Sequence, residues 1–312
     1  LKDKSEEKGQ SPQFRCGFVV LVGRPNSGKS TLLNAILKRK VAIVSDKPQT
    51  TRNIIRGIYT TAEAQMIFID TPGVHKPVDE LGHYMVGAAK LFLPEGDVVL
   101  YVVDASVSPG KGEEYIMENM LPLTSAPIIL VPNKIDLLKK EELLSLIAFL
   151  TTRFSQFAEV VPISALTGEN IEELLLTVKN YLPPGPKYYP DEVVTDQPEE
   201  FVIAEIIREA VFDFTREEIP YAVAVEVKNI EQRTDGLLYI EAKILVERDS
   251  QKGIIIGKDG GMLKKIGTRA RAQIETLLGM RIYLDLTVSV DKNWRKRKPA
   301  LRRLGYSLNE LY

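Results

Sequence analysis

The sequence predicts a mixed α/β protein in two parts: an open, mostly parallel sheet flanked by helices, then a smaller α+β sandwich. Three observations carry this. Short apolar runs alternate with helical patterns up to about residue 182. The stretch YLPPGPKYYPDE at Tyr181–Glu192 holds four prolines and a glycine, so it cannot sustain a helix or a central strand and reads as a linker. Beyond it the order becomes helix, strand, strand, helix, turn, helix, strand.

The elements follow in order. Residues 1–13 are polar and charged, lack the apolar core of a signal peptide, and read as a disordered tail. GFVVLVG is a strand buried on both faces, and a helix runs from Lys29 to about Lys38. AQMIFIDTPG, DVVLYVVDA, PIILVPNK and AEVVPISA supply further strands. Ile171, Leu174, Leu175 and Val178 recur at helical spacing. After the linker, Ile203, Ile206, Ile207, Ala210, Val211 and Phe214 form the stripe of one helix. YAVAVEVK alternates as a strand with Tyr221, Val223, Val225 and Val227 on one face. LLYIEAKILVE alternates through Leu238, Ile240, Ala242, Ile244 and Val246. A short helix, a GKDG turn, a helix from Met262 to about Leu278 and the strand RIYLDLTVSV follow, then a basic terminal helix in NWRKRKPALRRLGY. The expected division is 14–182, a linker at 183–194, 195–291, and a basic helix and tail at 292–312.

Composition narrows the function classes. The chain has 312 residues, 44% of them hydrophobic, and a net charge of −1, so no overall field declares a partner. The distribution is uneven. Residues 251–312 carry fourteen Lys or Arg against five Asp or Glu, whereas residues 191–250 carry six against sixteen. That asymmetry points to a surface facing a polyanion, although a solvated charged face gives the same pattern. Cys16 is the sole cysteine, which excludes an internal disulfide, fits a reducing interior and reads as a buried thiol. No apolar run reaches the length of a membrane span. A cytosolic, monomeric protein is expected, with peripheral membrane contact left open.

The chemistry-bearing motifs sit at strand ends. Gly23, Gly28, Lys29 and Ser30 match G-x-x-x-x-G-K-[ST] between a strand and a helix. Glycines let backbone N–H groups surround a phosphate chain, and the helix N-terminus adds positive potential. Lys29 is expected on the β- and γ-phosphates and Ser30 on Mg²⁺, with Arg24, Pro25, Asn26, Ser27 and Thr31 completing the contacts. In DTPG, Asp70 can hold Mg²⁺ through water, and the Gly73 N–H can sense the γ-phosphate. In NKID, Asp136 offers two acceptors to the paired donors of guanine, which adenine lacks; Asn133 braces the loop and Lys134 covers the base. Ser164, Ala165 and Leu166 can offer a backbone N–H to the guanine oxygen. Together these select GTP.

Over Phe14–Leu182 these motifs resemble a translation-factor-class GTPase. PQTTR at Pro48–Arg52 sits where the first switch belongs, and the resemblance favours Thr51 over Thr50 as the residue that closes over Mg²⁺. Val74 stands where Ras-like proteins carry a water-orienting glutamine, so backbone groups, a cation or a partner must serve, and turnover should be slow. His75 is adjacent, as a base or as an exposed bystander. GRPNSGKS resembles the potassium-dependent TrmE–Era group, which implies K⁺ on Asn26; the alternative is that Asn26 only braces the loop.

GIIIGKDGG at Gly253–Gly261 is not a second nucleotide loop. Its first glycines leave three intervening residues rather than four, and Asp259 replaces the hydroxyl after Lys258. With the element order it resembles a type II KH module, whose GxxG turn clamps single-stranded backbone. The resemblance implies bases near Ile255, Ile256 and the third strand, a turn of Gly257, Lys258, Asp259, Gly260 and Gly261, and phosphates on Lys258, Lys264, Lys265 and Arg269. Arg295, Lys296, Arg297 and Lys298, with Arg302 and Arg303, form a second basic cluster, and Trp294 is expected to dock its own helix.

A P-loop GTPase domain followed by a type II KH domain resembles the Era family across nearly the whole chain. That implies binding of the 3′ end of 16S ribosomal RNA, assistance to 30S subunit assembly, no DNA partner, and contact with the inner membrane as a secondary possibility. Two rival readings stay open: a membrane-associated signalling GTPase, and an RNA-binding protein that uses GTP only structurally.

Overall fold

The computed structural model describes residues 13–233 and 236–310. The expected tail, apart from residue 13, lies outside these. The first part contains β1 (Arg15–Val22), α1 (Lys29–Leu37), β2 (Ile55–Thr60), β3 (Ala64–Asp70), α2 (Glu80–Phe92), β4 (Val98–Asp104), α3 (Lys111–Asn119), β5 (Ile128–Asn133), α4 (Lys140–Arg153), β6 (Phe157–Val160) and α5 (Ile171–Tyr181). The sheet order is β2-β3-β1-β4-β5-β6. Every pair is parallel except β2 with β3. Buried side chains of β1, β3 and β4 alternate between two apolar cores, one on each face, because a parallel sheet sandwiched by helices buries both. The carboxyl ends of these strands deliver the motif loops to one edge.

β2 carries no clear sequence signal. IRGIYT does not alternate, and its central Gly57 lies under α1, where a Cβ would fall 2.6 Å from Leu33 Cδ1. The expected linker is laid against this domain: Cys16 N donates to Pro183 O, Gly185 N to Phe14 O, and Ile58 N to Val194 O. Gln65, fully buried, holds Tyr188 and Tyr189 through their N–H groups. Cys16 is a buried free thiol, as expected.

The second part contains α6 (Glu199–Phe214), α7 (Ile219–Ala222), β7 (Ala224–Gln232), β8 (Leu238–Val246), α8 (Asp249–Ile256), α9 (Gly261–Leu278), β9 (Ile282–Val290) and α10 (Lys298–Arg303). β7 and β8 are antiparallel, and β8 and β9 parallel. The helices cover one face through Ile203, Ile207, Ile255, Ile266 and Ile274, against Ile240, Ala242 and Ile244.

Two expectations need correction. The strand YAVAVEVK begins only at Ala224, and Tyr221 lies in helix α7. The carbonyls of Pro220, Tyr221, Ala222 and Val223 accept from Arg52 and Trp294 side chains instead of joining a ladder. The long terminal helix is instead a 3₁₀ turn at Trp294–Lys296 and the short α10. Pro299 has no N–H to continue a helix, so it opens a new one. Trp294 is fully buried and stacked on Tyr306, which docks this segment as expected. Leu81, Tyr84 and Met85 of α2 share that cluster, so the two parts meet through the loops and helix that follow the nucleotide motifs.

Candidate functional site

The loop from Gly23 to Gly28 is built by close approach. A Cβ on Gly23 would meet Val102 O at 2.2 Å, and one on Gly28 would meet Asn133 Nδ2 at 2.1 Å, where φ is also +93°. Only glycine satisfies both. α1 starts at Lys29, whose Nζ donates to Gly23 O (3.2 Å) and Arg24 O (2.8 Å). Burial pushes the Lys29 ammonium down to about 8 despite Asp70 nearby. These bonds hold the amine over the loop, where phosphate oxygens would replace the carbonyls.

Three oxygens converge beside it. Ser30 Oγ lies 2.7 Å from Thr51 Oγ1 and donates to Asp70 Oδ2 at 2.6 Å. Asp70 Oδ1 is buried and has no partner. An orphaned carboxylate oxygen beside two hydroxyls is the donor set of a hard, oxygen-seeking cation, so these residues fit Mg²⁺. Burial raises the Asp70 carboxyl to about 6, against the opposing pull of Lys29 and Ser30. Thr50 faces elsewhere, its Oγ1 donating to Lys47 O. Thr51 thus places its hydroxyl beside Ser30 while that of Thr50 does not, though both residues line the same cavity.

A cavity of about 330 Å³ joins these groups and is lined by Pro25, Asn26, Thr31, Gly73 and Lys134 among others. Ile43, Val44, Ser45, Asp46 and Gln49 also line it, and sequence reasoning missed them. Ile43, Val44, Ser45 and Asp46 had only their position between the P-loop helix and PQTTR as a signal, and Gln49 lies within that motif. Asn26 Nδ2 donates to Asp46 O, tying the P-loop to this segment and leaving its amide oxygen as the acceptor end. A Cβ on Gly73 would fall 2.6 Å from Pro25 Cα. Val74 is buried and its N–H donates to Gly23 O, so it packs rather than faces water. His75 Nδ1 is 3.0 Å from Gly73 O, and its Nε2 is buried without a partner.

The base-reading loops are tied together by one amide. Asn133 Nδ2 donates to Ser27 O, and its Oδ1 accepts from Lys134 N and Ala165 N. Asp136 is exposed, oriented by a bond from Ser164 Oγ at 2.6 Å, and Leu166 is exposed beside it. Lys134 Nζ pairs with Asp104.

The second turn is open. Gly257 and Gly260 have φ of +70° and +73°, and Asp259 sits at +52°. A Cβ on Gly257 would strike Met262 Cβ at 2.7 Å, whereas Gly260 and Gly261 face free space. Lys258, Asp259, Lys264 and Lys265 are exposed around it. Beside the turn lies a groove of about 520 Å³ lined by Leu263, Lys264, Thr268, Arg271, Leu284 and Leu286. Apolar floor and basic rim suit a single strand whose bases turn inward.

Comparison with known proteins decides the family. Residues 18–134 match the family described as 50S ribosome-binding GTPase, and residues 218–295 match the KH domain. GTPase Era of Geotalea daltonii is 52% identical over 94% of this chain and 98% of its own length. The chain belongs to the Era family of GTPases. GTPase Era of Leuconostoc citreum is 50% identical over 94% of this chain and 97% of its own. Among solved structures, Era in complex with MgGDPNP and nucleotides 1506–1542 of 16S ribosomal RNA superposes with a TM-score of 0.92 at 42% identity. It covers 95% of this chain and 100% of that one. A single-site variant of Aquifex aeolicus Era bound to GDP·AlF4⁻ gives 0.91 at 43%, with the same coverage.

Within this Era-family GTPase the structure places the expected RNA-binding residues unevenly. Ile255 is fully buried in the core behind α8 and offers nothing to a base; only Ile256 of the pair is partly exposed. The face of a two-turn helix cannot be told from its neighbour by periodicity alone. Arg295 is drawn into ion pairs with Asp79 and Glu247. Arg297 and Arg303 both pair with Asp291. These guanidiniums brace the fold rather than present a free basic face. Arg269 pairs with Asp213 while half-exposed; Lys296 and Lys298 remain exposed.

Proposed function

We propose that this GTPase is a switch whose type II KH module grips the 3′ end of 16S ribosomal RNA and assists maturation of the 30S subunit. The observation that carries the reading is the open GKDG turn, free at Gly260 and Gly261, beside the apolar groove with the exposed Lys264 on its rim. The Era relative solved with MgGDPNP and nucleotides 1506–1542 of that RNA supports it. The proposed division is a GTPase domain at 14–182, a linker at 183–194, a KH domain at 195–291 and a basic tail at 292–312. The protein is taken to act as a cytoplasmic monomer. Among the described residues no helix is long and apolar enough to cross a membrane. The ion pairing of Arg295, Arg297 and Arg303 favours RNA over an anionic membrane surface, because three of the tail's cations are already neutralised.

The chemistry follows from the site. Lys29 and the loop N–H groups hold the phosphate chain, while Ser30, Thr51 and Asp70 supply the oxygens for Mg²⁺. Mg²⁺, when bound, neutralises charge on the β- and γ-phosphates. Gly73 N–H orients the γ-phosphate. With Val74 buried, water must be placed by backbone groups, and the Asn26 oxygen is the proposed ligand for K⁺, which adds positive charge where the transition state needs it. Asp136 selects guanine.

The test is RNA affinity. Labelled RNA matching the 3′ end of 16S rRNA is titrated with protein loaded with GTP analogue or GDP, beside liposomes of anionic lipid. Lys258→Glu with Lys264→Glu should weaken RNA binding at least tenfold and lower its salt dependence. Unchanged RNA affinity, or preferential flotation with liposomes, would refute the assignment.

A further inference from the structure

We propose that α6, the first helix of the C-terminal part, is a working piece of the GTPase switch, with Arg208 as a positioning residue for GTP hydrolysis. This rests on the reading of Thr51 as an Mg²⁺ ligand.

The segment 40–52 is fastened to α6 along its length. Lys40 pairs with Glu209 at one end. Val44 N donates to Glu209 Oε1 at 3.1 Å. Lys47 donates to Phe212 O, and Arg208 Nη2 donates to Thr50 O. Just beyond, Arg52 donates to the carbonyls of Pro220, Tyr221 and Val223. Seven successive residues of α6, Ile206–Phe212, are buried, because the helix packs on its own sheet on one side and on this loop on the other.

The bond from Arg208 sits where it matters. The peptide linking Thr50 to Thr51 is planar, so fixing its oxygen fixes the orientation of the next Cα. That next residue carries the hydroxyl 2.7 Å from Ser30 Oγ. Arg208 is itself held: its Nε and Nη2 form a fork onto Glu205, and it is 1% exposed. It does not line the nucleotide cavity. Its action on the reaction therefore runs through Thr51. Holding the loop closed prepays the ordering that GTP and Mg²⁺ would otherwise have to supply. By linkage, a GTP analogue must tighten the docking of α6 by the factor that docking tightens the analogue.

The test uses the full chain and steady-state GTP hydrolysis, with affinities for GDP and a non-hydrolysable GTP analogue. Arg208→Ala should lower kcat about tenfold, the size of one charge-assisted hydrogen bond, and cut the analogue-to-GDP affinity ratio similarly, with GDP affinity within about twofold of the parent. Arg208→Lys keeps a donor for Thr50 O and should recover part of the loss. Lys47→Ala removes a fastening from the loop side, leaves α6 side chains intact, and should shift kcat the same way, which guards against misfolding of the α6 variant. Thr51→Ala separates the two levels. Parental turnover in Thr51→Ala would overturn the Thr51 assignment and this inference with it. Loss in Thr51→Ala with parental turnover in both Arg208→Ala and Lys47→Ala would overturn this inference alone.

Discussion

Replacing Asn133 by alanine tests how the guanine-reading loops are held. Its side chain, 2% exposed, makes bonds of 2.9 Å to Ser27 O, 2.8 Å from Lys134 N and 2.9 Å from Ala165 N. One amide thus joins the P-loop, the NKID loop and the SAL loop, which are far apart in sequence. Alanine leaves one carbonyl and two N–H groups without this partner. A buried polar group left unmet costs about 1–3 kcal/mol, and water entering the vacated volume recovers part of it. The expected total is about 2–4 kcal/mol. It has two places to appear. If the loops stay ordered, the loss shows as lower unfolding free energy of the nucleotide-free protein in urea. If they unravel locally, the fold survives and GDP must reorder them on binding, so a full loss weakens the affinity roughly thirty- to several-hundredfold. Urea unfolding and fluorescent-GDP titration together capture both. If the two losses add to less than about 0.5 kcal/mol, the brace is ornamental and the reasoning fails.

Other outcomes follow from the same site. Asp70 holds its proton more tightly folded than unfolded, so in metal-free protein its contribution to stability is complete below about pH 4 and is lost as pH rises through about 6; Asp70→Asn should flatten that part of the pH–stability curve in EDTA, a change of at most about 3 kcal/mol. Asp136→Asn swaps one acceptor for a donor, and should weaken GDP binding more than tenfold while improving binding of xanthosine diphosphate, read by competition titration. If Asn26 ligates K⁺, turnover should be faster in KCl than in NaCl, and Asn26→Ala should abolish the difference.

The nucleotide site was legible because its motifs encode local geometry. Gly28 takes a left-handed φ of +93° that glycine adopts freely, and Asn133 is the last residue of β5. Ser30, Thr51 and Asp70 were named residue by residue, and the structure brings their side chains together. The opposite holds for contacts between distant segments. Nothing near Thr50 announces Arg208, which lies 158 positions away. One signal was available: Arg208 and Glu209 interrupt the apolar stripe between Ile207 and Ala210, and two charges embedded there need partners on another element. The basic tail misled for the same reason. Counting Arg295 and Arg297 as free charges ignored Asp79, Glu247 and Asp291, whose proximity only the fold creates.

The contact between the two parts pairs Lys40 with Glu209 and Arg295 with Asp79, yet it crowds two arginines together. Arg52 and Arg208 are both buried and close enough to repel. Burial first, then the neighbouring Arg208 charge, pushes the Arg52 guanidinium down to about 10. Glu205 is the carboxylate that forks onto Arg208, while Arg52 is satisfied by neutral carbonyls. Arg52 Nε and Arg208 Nη1 are buried without partners. Each unmet N–H subtracts from what the hydrogen bonds and the Trp294 cluster contribute. For such a contact to act as a switch, the nucleotide must bind the docked and undocked states with different affinity. Loosening this contact should therefore weaken the switch. Arg52→Met removes one of the two repelling charges but leaves the carbonyls of Pro220, Tyr221 and Val223 without their donor and takes the guanidinium from over Trp294, so it should lower the melting temperature. It should also narrow the difference in RNA affinity between GTP-analogue and GDP forms, measured on the same preparation. A folded variant that keeps the full difference would show that the Arg52 contact has no part in the switch.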